Sequence, residues 1–121
     1  MAAGFFNALA THYRVKSAGT HAESLIGTPL PEYVVKSMSA VGVDISKYPR
    51  TQLTQKMVEE ADVVIMITAK EDWPEYVKDS PKVVFWDVAD AKDQPYEFCC
   101  NVRDKIKELV DTFDKVYRTK I

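Results

Sequence analysis

Val63-Val64-Ile65-Met66-Ile67 is a run of five apolar residues, four of them β-branched, closed off by Asp62 and Thr68. It is too short for a typical helix, and its β-branched side chains favour a pleated surface. A strand with one wet face would alternate apolar and polar residues. This one does not, so the pattern predicts a strand covered on both faces, as in a parallel sheet between helical layers.

The flanking sequence fits that expectation. Val83-Val84-Phe85-Trp86 is a second strand of the same kind, and residues 70–78 between the two read as a helix. Upstream, Thr54 is placed to cap a short helix reaching Glu60. Pro31 suits the first turn of a helix running to about Val41, where Gly42 stops it. Near the start, Ala2, Phe5, Phe6, Leu9 and Tyr13 keep helical spacing; a short strand over residues 14–18 follows and ends at Gly19, ahead of a turn-rich stretch over 20–29. Pro95 opens the longest helix, along which Phe98, Val102, Ile106, Leu109, Phe113 and Val116 step by three and four. Helices alternating with strands predict an α/β fold of three layers, with a mostly parallel sheet flanked by helices. Only three strands are visible, and the chain opens on a helix. In such folds the ligand site lies beyond the carboxyl ends of the strands, where strand order reverses. A chain that opens on a helix is therefore expected to lack the strand that feeds that site.

With 121 residues and no repeat or linker, residues 1–121 read as a single domain. Sixteen basic and eighteen acidic side chains leave a formal charge of −2, which offers no electrostatic footprint for nucleic acid or an anionic membrane. No apolar run has the length of a membrane span. Ala8-Leu9-Ala10 imitates a signal-peptidase site, but there is no basic n-region and Asn7 interrupts the apolar stretch. The adjacent pair Cys99-Cys100 is badly placed to staple separated backbone. A reducing, cytoplasmic setting is therefore expected, with no cofactor and no metal.

Six segments, taken in order, resemble one family. Residues 1–9 look like the first helix of the low-molecular-weight protein tyrosine phosphatases and of the arsenate reductases that share their fold. Ser17-Ala18-Gly19-Thr20 resembles the end of the family's second strand. Val41-Gly42-Val43-Asp44-Ile45-Ser46, with Gln52-Leu53-Thr54, is similar to the stretch after its second helix. Glu60-Ala61-Asp62-Val63-Val64 looks like the entry to its third strand. Trp86-Asp87-Val88-Ala89-Asp90 resembles the loop that bears its general acid, and Val102-Arg103-Asp104-Lys105-Ile106 its last helix. The resemblance implies a domain truncated at its N-terminus, without the family's first, central strand. It also implies loss of the loop of cysteine, five residues, arginine and serine that lies ahead of Met1's counterpart. In the family the amides of that loop, a helix dipole and the arginine lower the cysteine's pKa and hold a transferred phosphate.

By the same resemblance Asp90 is the general acid, which protonates the leaving oxygen and then activates water. Without it, Asp87, Asp90 and Asp93 would read as an ordinary acidic loop, and their spacing matches no standard metal pattern. The phosphatases continue with proline and aromatic residues, whereas Ala91 and Lys92 stand here. Ser17 matches a serine that braces the nucleophile loop. His21 to Gly27 occupies the place of an aromatic residue at the site rim, and His12 and His21 read as solvated. Tyr48-Pro49-Arg50 stands where relatives carry histidine and a slightly later arginine, so Arg50 is not assigned a role. Cys99 reads as a small core residue and Cys100 as facing solvent. The thiol-relay reductases of this fold place cysteines in and after the third-strand loop, which here reads Thr68-Ala69-Lys70-Glu71-Asp72-Trp73.

Three functions follow from these residues. One is a phosphatase, acting through a cysteinyl-phosphate, whose true start lies upstream and which is inactive as this chain; its partners would be a phosphorylated protein or a small oxyanion once the loop is present. Another is an arsenate reductase of the same fold. The third is a non-catalytic pseudo-phosphatase that serves as a binding or scaffold domain. Without the central strand, the strands flanking its position either pair directly or recruit a second chain, and a homodimer is expected.

Overall fold

The computed structural model describes residues 1–9, 13–91 and 93–120. Seven regular elements carry the fold: α1 (Ala2–Ala8), α2 (Glu32–Ser39), α3 (Gln55–Glu60), β1 (Val64–Met66), α4 (Glu75–Lys78), β2 (Val83–Phe85) and α5 (Tyr96–Lys120). The strands β1 and β2 are parallel, pairing Val64 with Val83, Ile65 with Val84 and Met66 with Phe85. Trp86 N–H continues the ladder to the Met66 carbonyl at 2.9 Å.

Side chains of the apolar run divide by parity, as a pleat requires. Ile65 and Ile67 pack on a core built from Phe5 and Phe6 of α1, Met38 of α2, and Cys99, Val102, Ile106 and Val110 of α5. Val64 and Met66 pack on the opposite face with Val58 of α3 and Val77 of α4. A two-faced strand between two helical layers is thus observed, and the α/β sandwich expected from the sequence is the fold.

Local signals explain the helix ends. The Thr54 side chain accepts from Met57 N–H and caps α3. At the other end of α3 the Lys82 ammonium donates to the carbonyls of Val58, Glu59 and Ala61 at 2.9, 2.9 and 2.8 Å. After α2, Gly42 takes φ +82°, and Gly42 and Val43 N–H donate back to the Ser39 and Met38 carbonyls at 3.0 Å each. Only a left-handed residue closes the helix in that way, which is why glycine stands there. Gly4 of α1 is needed for another reason: a Cβ there would lie 2.8 Å from Ile45 Cγ2.

Two expectations need correction. Residues 70–78 are not one helix. A single tight turn, Lys70–Asp72, is followed by Trp73 and Pro74 in extended conformation and only then by α4. Proline disfavours helical geometry in the residue before it, so Pro74 divides the stretch. Nor do residues 14–18 form a strand. Among the described residues the sheet has two strands, and the sole trace of a third is the parallel bridge between Gly19 and Gln52. Residues 14–18 and β1 do not pair directly. The end of the first helical pattern falls partly outside the described residues, which also exclude His12 and Lys92.

Candidate active site

The carboxyl ends of β1 and β2 leave the sheet on the same side, because the strands are parallel. Beyond β1 the chain turns tightly: Asp72 N–H donates to the Ala69 carbonyl at 2.9 Å and Trp73 Nε1–H to the Thr68 carbonyl at 2.8 Å. Trp73 meets the Phe85 ring edge-on at 5.6 Å, and the Lys70 ammonium lies 5.1 Å from the same ring. An open cleft of about 360 Å³ lies there, lined by Ile67, Ala69, Lys70, Glu71, Phe85, Asp87 and Val88.

Beyond β2 the loop is pinned at alternate points. Val88 and Ala91 are buried in the core, while Asp87, Ala89 and Asp90 are exposed. Gln94 N–H donates to the Ala91 carbonyl at 3.2 Å, and the Cys99 thiol reaches that carbonyl at 3.5 Å. Asp93 holds φ +60°, a conformation that aspartate tolerates better than most residues. Asp90 therefore stands on the outer side of a loop fastened on both flanks. Asp87 belongs to the cleft wall; Asp90 is not among the cleft residues. Among the described residues no three histidine, cysteine, aspartate or glutamate side chains are grouped to hold a metal ion.

A further loop starts at Gly19 and is tied to residues 51–53. Gly19 N–H donates to the Thr51 carbonyl at 2.8 Å, and Leu53 N–H to the Gly19 carbonyl at 2.9 Å. Gln52, between them, turns its carboxamide onto the loop that follows. Its oxygen accepts from Ala22 and Glu23 N–H at 2.7 and 3.1 Å; its nitrogen donates to the carbonyls of Thr20 and Leu53 at 2.9 and 3.2 Å. Ser17 and His21 are exposed. The Arg50 guanidinium donates to the Pro29 carbonyl through Nε and Nη2, at 3.3 and 3.1 Å. Sequence reasoning passed over Gln52, since nothing local distinguishes a structural glutamine from a solvated one.

The cysteine pair is divided as expected from the stripe. Cys99 is fully buried, and desolvation pushes its thiol pKa up, with the charge of Cys100 acting in the same direction. Cys100 is half-buried beside Tyr96. The side-chain hydrogen bond with Cys100 is the main cause that raises the Tyr96 phenol. The residues six positions beyond the two cysteines are Lys105 and Ile106, so neither begins a Cys-x5-Arg pattern.

The chain is a parallel α/β sandwich whose two described strands send their loops out at one end of the sheet. No family model matches the chain. Among solved structures, Wzb of Vibrio vulnificus, in complex with benzylphosphonate, superposes with a TM-score of 0.82 at 21% identity, over 94% of this chain and 86% of that one. The low-molecular-weight protein tyrosine phosphatase of T. tengcongensis gives 0.76 at 24% identity, over 94% and 87%. YwlE arginine phosphatase of Geobacillus stearothermophilus gives 0.80 at 22% identity, over 98% and 84%. The fold is that of the low-molecular-weight protein tyrosine phosphatases. Two curated arsenate reductases of Staphylococcus epidermidis are 26% identical over 80 residues, 65% of this chain; the chain spans 61% of the length of these relatives.

Proposed function

We propose that this chain, as one domain over residues 1–121, is the scaffold of a low-molecular-weight phosphatase that hydrolyses phosphate monoesters. In this reading Asp90 is the general acid and Ser17 braces the nucleophile loop. The observation that carries the reading is the placement of Asp90 on a fastened loop at the carboxyl end of the sheet, where a leaving group needs a proton held in reach. In this reading the cysteine, arginine and amide cradle belong to a loop for which the 121-residue sequence carries no Cys-x5-Arg pattern. Without them the chain has no nucleophile, and its activity stays at background. A phosphorylated protein is the substrate, and the setting is cytoplasmic. The 121-residue chain alone uses the free edge of β1 to form a homodimer.

Arsenate reduction is the second reading, favoured by the two curated relatives. The buried Cys99, with its pKa raised, is a poor member of a thiol relay, which needs accessible thiolates. The phosphatase reading is preferred on that ground.

The test measures p-nitrophenyl phosphate turnover for this chain and for a version carrying a strand and Cys-x5-Arg-Ser loop ahead of Met1. The chain alone should show none. The extended version should turn over, and Asp90→Asn should lower its rate by about 10²–10⁴-fold, with Asp87→Asn and Asp93→Asn nearly silent. Equal effects at all three positions would show that Asp90 is the wrong acid. Turnover by the chain alone that survives Cys99→Ser and Cys100→Ser would overturn the assignment of the nucleophile to the absent loop.

A further inference from the structure

We infer that Gln52 is a positioning residue: its carboxamide sets where the loop over residues 20–27 stands against the backbone ahead of α3. That loop belongs to the active site in the reading proposed above, on which the inference rests, but its test does not use catalysis.

All four hydrogen-bonding positions of the carboxamide are engaged, two as acceptor and two as donor. Three of the four partners, Thr20, Ala22 and Glu23, belong to the loop, and the fourth is the carbonyl of Leu53. The side chain therefore ties a segment some thirty positions away in sequence to the backbone ahead of α3. Ala22 is buried, so its N–H has little water to turn to if the glutamine oxygen is removed. Gly19 supports the same arrangement, since a Cβ there would lie 3.1 Å from Ala22 Cβ, tighter than ordinary contact. Further on, Thr28 and Leu25 close their turns through local bonds to the Leu25 and Ala22 carbonyls, which do not involve Gln52. The loop is internally folded, and Gln52 fixes it to the body.

A carboxamide suits this role better than a carboxylate. The oxygen faces two amide donors, while the nitrogen faces two carbonyls that would repel an anion. This gives a pH signature to Gln52→Glu. Its ionised carboxylate keeps the Ala22 and Glu23 bonds and opposes the Thr20 and Leu53 carbonyls, whereas protonation supplies a donor to one of them.

Amide hydrogen exchange on the 121-residue protein tests the inference. In Gln52→Met, exchange at Ala22 and Glu23 should rise at least tenfold, while Met66 and Val84 in the sheet keep their protection. In Gln52→Glu, after correction for intrinsic rates, loop protection should improve as pH falls through the carboxylate range. Unchanged exchange at Ala22 and Glu23 in Gln52→Met would overturn the inference. So would an equal loss in loop and sheet, which would mark Gln52 as a contributor to global stability alone. A chain inactive in every form would refute the phosphatase reading and leave these exchange results standing.

Discussion

Replacing Lys82 by methionine removes one ammonium and keeps most of the aliphatic stem. That ammonium lies within 2.8–2.9 Å of three carbonyls at the C-terminus of α3. A hydrogen bond to a charged group is worth about 1.5–3 kcal/mol net, and three such bonds from one group share a single desolvation and ordering cost. Interaction with the helix dipole adds about 0.3–1 kcal/mol. Part of the site is open to water, so the low end of the sum applies, and the expected cost is about 2 kcal/mol. For a chain of this length that corresponds to a fall in Tm of roughly 6–12 °C. Helix α3 has six residues, too few to persist without tertiary support. Its loss would also loosen Leu53 and Gln52, just ahead of its Thr54 cap. Urea denaturation followed by far-ultraviolet circular dichroism measures the change, with an unaltered m-value confirming a pure stability effect. Lys56→Met is the control on the same helix. Its ammonium sits 3.8 Å from Glu60 with both side chains largely exposed, and such pairs contribute about 0–1 kcal/mol. Equal costs for Lys82→Met and Lys56→Met would refute the capping argument.

Two further outcomes follow from the thiols and from one turn. Iodoacetamide should modify Cys100 in the native protein and Cys99 only on unfolding, because Cys99 is fully buried with its thiol pKa raised; equal rates would contradict that burial. The Asp44 carboxyl is held below its ordinary value, first by the Ser46 side chain and then by Ser46 N–H, whose bond to Oδ1 is 2.9 Å. A lowered folded pKa means that this bond stabilises the protein above the ordinary carboxylate pKa and is lost as pH falls through the lowered one. Asp44→Asn should therefore flatten the acid limb of a stability-versus-pH curve below about pH 4, and an unchanged limb would show that Asp44 does not contribute.

What the sequence disclosed depended on how local the physics was. The strand β1 was legible because burial on both faces writes itself as uninterrupted apolar residues, and the opposite packing of Val64 and Ile65 bears that out. The stripe on α5 was legible through Phe113, but it outruns the core at Val116, which is 54% exposed. Periodicity records a face without recording where its partner stops. Pro74 broke a helix that spacing alone had joined. The Gln52 contacts were invisible because each of its loop partners lies about thirty residues away, and a glutamine's neighbours give no hint of them. Residues 14–18 show the same limit from the other side. Their pattern suits a strand, yet a strand exists only by pairing.

Among the described residues β1 has one hydrogen-bonded neighbour, β2. Val64 N–H donates to the Lys82 carbonyl, and the Met66 carbonyl accepts from Trp86, so the groups of these residues face β2. In a parallel strand the intervening residue points its groups to the other neighbour. Ile65 N–H and C=O therefore face the side on which no strand stands among the described residues. Charges or proline commonly guard a free edge, and neither occurs between Val63 and Ile67. Among the described residues, residues 14–18 also lack a ladder, and the chain makes an isolated bridge where Gly19 meets Gln52. An apolar, uncharged edge of this kind can accept a further strand through Ile65.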